Sequence, residues 1–161
     1  MTQPFPIPKD DQAQPYALLS IGGHALLLLQ SEIRILAPVH DIKIAGQRPS
    51  GVVGWLPFAG RRWPVYCLDE ALHPLPHLPS GQRICALVKL NTSYFGLGCE
   101  HVATVQGSAL RIWPVPAAMA MPDSPLQGLS RYADRVALVS TAAALAVWLG
   151  VNDAAEPTRQ A

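Results

Sequence analysis

The sequence predicts a mainly β protein of the barrel or sandwich class. Three observations carry that prediction. Short apolar runs follow one another with turn residues between them, and helix signals are confined to two short segments. Half of the 161 residues are hydrophobic and only 14% are charged, a balance that supports a well-buried interior. The length fits one domain, or two small barrels that share a core.

Residues 1–15 hold Pro4, Pro6, Pro8 and Pro15 with Lys9, Asp10 and Asp11, and read as an extended or mobile leader. Ala17–Ile21 and His24–Leu29 then flank Gly22-Gly23, a dipeptide suited to the positive φ angles of a two-residue hairpin turn. Gly51–Leu56 and Trp63–Leu68 flank Pro57–Arg62, where Ala59-Gly60 can make the reversal. Pro64 must lie at a strand edge or a bulge, because it has no N–H to give to a ladder. Ile84–Leu90 and Tyr94–Cys99 flank Asn91–Ser93, and His101–Val105 extends that second strand or follows it after a bend. Asp69–Leu72 can make one short turn before Pro74, Pro76 and Pro79 stop it. Ser140 or Thr141 can cap a helix over Ala142–Leu149, with Leu145, Trp148 and Leu149 on one face and Gly150 ending it. The loops 73–83 and 106–125 are proline-rich, and residues 151–161 read as a polar tail.

Composition narrows the function. The formal net charge is +1, and no basic cluster exceeds the pair Arg61-Arg62, so the stripe of cations a nucleic acid demands is missing. The segment Met1–Tyr16 lacks the apolar core of a signal peptide, and the longest apolar stretch, Ala142–Leu149, falls far short of the roughly 20 residues of a spanning helix. Membrane insertion is therefore not expected. Cys67, Cys85 and Cys99 are odd in number and widely spaced, which argues for a reducing compartment and a cytoplasmic location.

A zinc site is the first chemistry to test, since Cys67, His73, His77, Cys85, Cys99 and His101 supply sulfur and imidazole. Their spacing fits no closed site, there is no Cys-x-x-Cys pair, and Pro74 and Pro76 deny His73 and His77 a helix. Cys99 and His101 point the same way if they share a strand. A buried thiol beside a rim histidine accounts for that pair. A small metal- or thiol-dependent enzyme using Cys67, Cys99 and His101 is the alternative from another class. No nucleophile elbow and no phosphate loop occurs. No catalytic, metal or cofactor-binding residue is assigned, and no cofactor is expected.

The aromatic residues suggest binding instead. Trp55, Phe58, Trp63 and Tyr66 crowd one hairpin, with Arg61 and Arg62 near its tip. Tryptophan, tyrosine and arginine dominate binding hot spots, although aromatic residues in strands are also common core residues. Alternation at Tyr94-Phe95 buries one ring and exposes the other. The candidate partner-binding residues are Trp55, Phe58, Gly60, Arg61, Arg62 and Tyr94.

Three segments, taken in order, resemble the CheW-like family of chemotaxis coupling proteins, a domain also found at the end of CheA-type histidine kinases. Gly54-Trp-Leu-Pro-Phe-Ala-Gly60, running on to Trp63-Pro-Val-Tyr-Cys-Leu68, is similar to the family's G-V-x-N-L-R-G leading into V-P-V-V-D-L. Cys85–Val105 is similar to its apolar strand, turn and G-L-x-V-D-x-V-x-x-V strand. Pro125–Leu145 is similar to its x-L-x-G-V-x-x-x-x-G-R-L-V-L-L-L-D-L-x-x-L segment, and Leu18–Ile35 fits its first two strands.

The resemblance covers residues 16–150. It implies two small SH3-like five-stranded β-barrels around a shared apolar core, with a short C-terminal helix. It also implies a non-enzymatic adaptor that binds the regulatory domain of a histidine kinase, a chemoreceptor-like protein, or both. Three positions depart from the family pattern: Ala59 replaces its arginine, Cys67 its strand aspartate, and Ser140 a frequent aspartate. The arginine's role is carried onto no residue here. A specialised member serving pilus motility or another non-flagellar chemosensory system accommodates these departures.

Overall fold

Two-residue turns in left-handed backbone decide how the strands pair. Gly22 (φ 56°) and Gly23 (φ 136°) reverse β1 (Pro15–Ile21) into β2 (His24–Leu29), with Leu18 opposite Leu27. Ala59 (φ 53°) and Gly60 (φ 75°) reverse β4 (Gly54–Phe58) into β5 (Arg61–Tyr66), the double positive φ that matches a hairpin's twist. Asn91 (φ 54°) opens the turn between β6 (Ile84–Leu90) and β7 (Ser93–Cys99). Ala133 (φ 48°) and Asp134 (φ 65°) join β9 (Gly128–Tyr132) to β10 (Arg135–Val139). The remaining strands are β3 (Ile33–Pro38) and β8 (His101–Gln106). The structure, a computed structural model, describes residues 14–44 and 46–151. The expected leader lies outside the described residues except for Gln14 and Pro15. Only Val151 of the expected tail is described, and it is buried.

The strands form two five-stranded sheets. One has the order β8-β1-β2-β10-β9, the other β3-β6-β7-β5-β4. The second sheet is continuous in sequence and is inserted between β2 and β8 of the first. The opening hairpin therefore meets its neighbours only after the chain returns: β1 pairs with β8, and β2 pairs in parallel with β10. The first sheet is thus assembled from two segments of the chain that the second sheet separates.

Three apolar clusters follow from strand alternation. Tyr16, Leu18, Ala25, Leu27, Val105, Ala137 and Val139 cluster on one face of the first sheet. Leu56, Trp63, Val65, Cys67, Cys85 and Leu87 cluster on one face of the second. The intervening residues of the same strands, among them Leu19, Leu26, Trp55, Tyr66, Phe95 and Leu97, meet in one cluster between the sheets. This is the shared core that the resemblance implies. Strands buried on both faces read as continuous apolar runs, which is why β1, β2, β6 and β7 are so uniformly hydrophobic. Pro64 sits in β5 ahead of the two residues, Val65 and Tyr66, that pair with β7, so its missing donor removes no bond from that ladder.

The helix α1 (Ala142–Leu149) closes the shared core with Ala142, Leu145, Ala146 and Leu149. Thr141 caps it by accepting from the Ala144 N–H at 3.0 Å, and the Glu32 carboxylate accepts from the Ala142 N–H at 3.0 Å. Gly150 ends it in left-handed backbone, and the Val151 N–H returns to the Ala146 carbonyl at 2.9 Å. The Trp148 indole N–H donates to the Leu72 carbonyl at 2.6 Å and ties the helix to the loop after β5. Among the described residues, no helix is long and apolar enough to cross a membrane.

Candidate functional site

The β4–β5 hairpin presents two chemically different faces because successive side chains alternate. On the face over the second sheet's own interior, Phe58 opposes Arg61 and Leu56 opposes Trp63. Phe58 and Trp63 meet edge-on at 5.9 Å between ring centroids, and Trp63 meets Tyr94 of β7 edge-on at 5.2 Å. The Trp63 indole N–H donates to the Phe58 carbonyl at 3.0 Å, which fixes the ring. Above this row the Arg61 guanidinium lies 5.1 Å from the Tyr94 ring centroid. Trp63 is buried, Phe58 and Tyr94 are half-buried, and Arg61 is exposed. The result is an aromatic ledge with a cation stacked on its outer end. Phe95, the next residue of β7, is fully buried in the shared core.

On the opposite face the Arg62 guanidinium lies 4.6 Å from the Trp55 ring centroid. Trp55 is only 2% exposed and packs in the shared core, so its candidacy as a direct contact is corrected. On that side Arg62 is the exposed residue, with Trp55 beneath it. Gly60 is exposed at the turn with nothing within 4 Å of where a Cβ would stand, so it shapes the turn and offers no side chain.

Of the six candidates, the structure thus groups Phe58, Arg61 and Tyr94 on one face, and separates Arg62 with Trp55 on the other. Sequence reasoning missed Lys89, an exposed cation directly opposite Tyr94 in the β6–β7 register. Its signal was its position across the Asn91 turn from Tyr94. Sequence reasoning also missed a groove of about 580 Å³ between the Pro49–Gly51 segment, Pro74–Pro76 and the end of α1, with Trp148 in its wall.

The thiols do not assemble with the histidine. Cys67, Cys85 and Cys99 are all completely buried and free. Cys67 belongs to the interior of the second sheet and Cys99 to the shared core. Burial pushes both thiols up to about 12, partly offset at Cys67 by a hydrogen bond to the Gly98 backbone and reinforced at Cys99 by Cys67 and Glu100. Burial raises Cys85 as well, reinforced by Cys67 and Cys99. Such groups stay protonated and are poor nucleophiles.

The expectation that Cys99 and His101 share a face is corrected too. The chain bends at Glu100 to leave the second sheet for the first, with the Glu100 N–H donating to the Ser20 carbonyl at 2.8 Å. Cys99 ends β7 buried, whereas His101 begins β8 exposed. Among the described residues, no group of three His, Cys, Asp or Glu side chains can hold a metal ion.

The three departing positions each have a physical setting. Ala59 is exposed at the hairpin tip. Cys67 sits where an aspartate would be fully buried. The buried Ser140 hydroxyl donates to the Pro125 carbonyl at 2.6 Å. Arg61, two residues on, carries the hairpin's nearest guanidinium and stacks on Tyr94.

No protein-family model matches the sequence. No curated protein matches it either. Among solved structures, the chain is similar to a scaffolding protein, TtCheW, from Thermoanaerobacter tengcongensis. The sequence identity is 15%, the match covers 80% of this chain and 88% of that one, and the TM-score is 0.62. The chain therefore has the CheW-like fold, two five-stranded sheets packed around a shared apolar core.

Proposed function

We propose that this chain is a non-enzymatic adaptor of a cytoplasmic chemosensory assembly. It binds the regulatory domain of a CheA-type histidine kinase, a chemoreceptor-like protein, or both. The observation that carries the proposal is the likeness in fold to a scaffolding protein along most of both chains. The arrangement suits an adaptor. Each sheet offers its own outer surface, and the shared core of Leu19, Leu26, Tyr66, Phe95, Leu145 and their neighbours holds the two surfaces at one relative orientation. Buried, protonated thiols leave the enzyme alternative built on Cys67, Cys99 and His101 without a nucleophile.

Specific observations favour a specialised member of a pilus-linked or other non-flagellar system. Ala59 places no guanidinium at the hairpin tip, and Cys67 is a core thiol. The test is sedimentation of the purified chain with the kinase regulatory domains and receptor signalling regions of its own organism. Co-sedimentation with one of them is expected. Failure with every one overturns the proposal, and the identity of the binder decides between flagellar and pilus systems.

A further inference from the structure

The five strands of the second sheet carry Arg34, Arg61, Arg62 and Lys89 and not one Asp or Glu. The acid-free stretch is longer than the strands themselves. Residues 42–68 add Lys43 and Arg48 without an acid, and residues 84–99 contain none. Two of these cations share the sheet face that carries one ring. Arg61 stacks 5.1 Å above Tyr94, and Lys89 is the cross-strand partner of the same tyrosine. Beside them Phe58 and Tyr94 leave part of each ring open, fixed from below by the buried Trp63. An arginine parked on an aromatic face loses little freedom when it takes a carboxylate in its fork.

We infer that the Phe58–Arg61–Lys89–Tyr94 face docks an acidic segment of a partner protein, one or more carboxylates meeting Arg61 and Lys89 while an apolar side chain covers Phe58 and Tyr94. The partner is a protein segment and not a nucleic acid. Two cations and two part-buried rings match a short carboxylate-and-apolar pattern, while a phosphate backbone needs a longer cationic track. The inference rests on the adaptor reading only in taking the occupant to be a protein. The surface and its chemistry come from the side chains named here.

The test is an NMR titration of the full ¹⁵N-labelled chain with a synthetic peptide of alternating Glu and Leu. A Lys–Leu peptide of the same length and a single-stranded oligonucleotide serve as comparisons. Saturable shifts confined to residues around Phe58, Arg61, Lys89 and Tyr94 are expected with the acidic peptide alone. They should weaken at least tenfold in Arg61→Glu/Lys89→Glu and persist in Arg61→Lys/Lys89→Arg. Both pairs lie on exposed positions, and unchanged resonances in the first sheet confirm that each variant is folded.

Shifts scattered over the surface, an equal response to the Lys–Leu peptide, or loss of less than twofold on charge reversal overturns the inference. Equal or tighter oligonucleotide binding at the same residues overturns it in favour of a phosphate partner. Failure of every kinase and receptor to co-sediment removes the adaptor reading and leaves this titration standing. Co-sedimentation that survives Arg61→Glu/Lys89→Glu unchanged, with no peptide shifts, removes this inference and leaves the adaptor.

Discussion

Gly96 tests whether the second sheet encloses a packed interior of its own. A Cβ at position 96 would lie 2.6 Å from Cys85 Sγ, 3.2 Å from Leu87 Cδ2 and 3.3 Å from Val65 Cγ2. All three atoms belong to the interior cluster, and the Gly96 φ angle is an ordinary one, so the cost of a methyl group is purely steric. A sulfur–carbon contact needs about another ångström, and none of the three neighbours sits at the free end of a long side chain. Overpacking of this kind costs about 1–3 kcal/mol, from which a few tenths are returned by the better strand propensity of alanine.

Gly96→Ala should therefore lose about 2 kcal/mol and lower Tm by about 4–8 °C for a chain of this length. Cys85→Ala alone should lose about 1 kcal/mol for the small void it opens. The double variant moves the bulk across the gap and should be more stable than the sum of the single losses by at least about 1 kcal/mol. Urea unfolding of the four proteins measures all three terms. Additive losses, or a Gly96→Ala variant within about 0.5 kcal/mol of wild type, would show that the interior is not closed over β7, and would refute the packing described above.

Thr141→Ala removes the cap that holds the Ala144 N–H at 3.0 Å and should cost about 1 kcal/mol in urea unfolding. Trp148→Phe keeps most of the ring but loses the 2.6 Å bond to the Leu72 carbonyl, so it should cost about 1 kcal/mol and speed amide exchange in the 69–76 loop. Cys67 and Cys99 are raised from 9.0 to about 12, so the fold holds their protons where the unfolded chain releases them. Their contribution is complete below pH 9 and is lost as pH rises toward 12, at up to about 1.4 kcal/mol per pH unit for each thiol. Stability should accordingly fall between pH 9 and 11, and Cys67→Ser/Cys99→Ser should flatten that fall. In the native state at pH 8 all three thiols should react with a disulfide reagent only as fast as the chain opens.

How much of this the residues disclosed depends on turn chemistry. Gly22-Gly23, Ala59-Gly60 and the Asn91 turn each carry a residue suited to positive φ, and the three hairpins they close were legible. The β9–β10 turn uses Ala133-Asp134, also at positive φ, but with no glycine to mark it. That hairpin was visible only through the resemblance of Pro125–Leu145. The strand β3 has Arg34, Ile35 and Leu36 all exposed, and so lacks the alternation by which a strand is ordinarily detected.

The candidate site was half legible for a related reason. In a sheet with one wet face, alternation tells which aromatic ring is core and which is surface. In β4, β5 and β7 both faces are apolar, since one lines the sheet's own interior and the other the shared core. Trp55 and Trp63 are equally hydrophobic in sequence and equally buried, yet they serve different cores. What separates the exposed set from the buried set is distance from the hairpin tip. Phe58 and Arg61 are the last pair before the Ala59-Gly60 turn, and Tyr94 and Lys89 are the last pair but one before the Asn91 turn. Both positions overhang the interior where the ladder runs out. The exposed aromatic and cationic face at the hairpin ends is therefore encoded in strand register, and the hydrophobic pattern along each strand cannot reveal it.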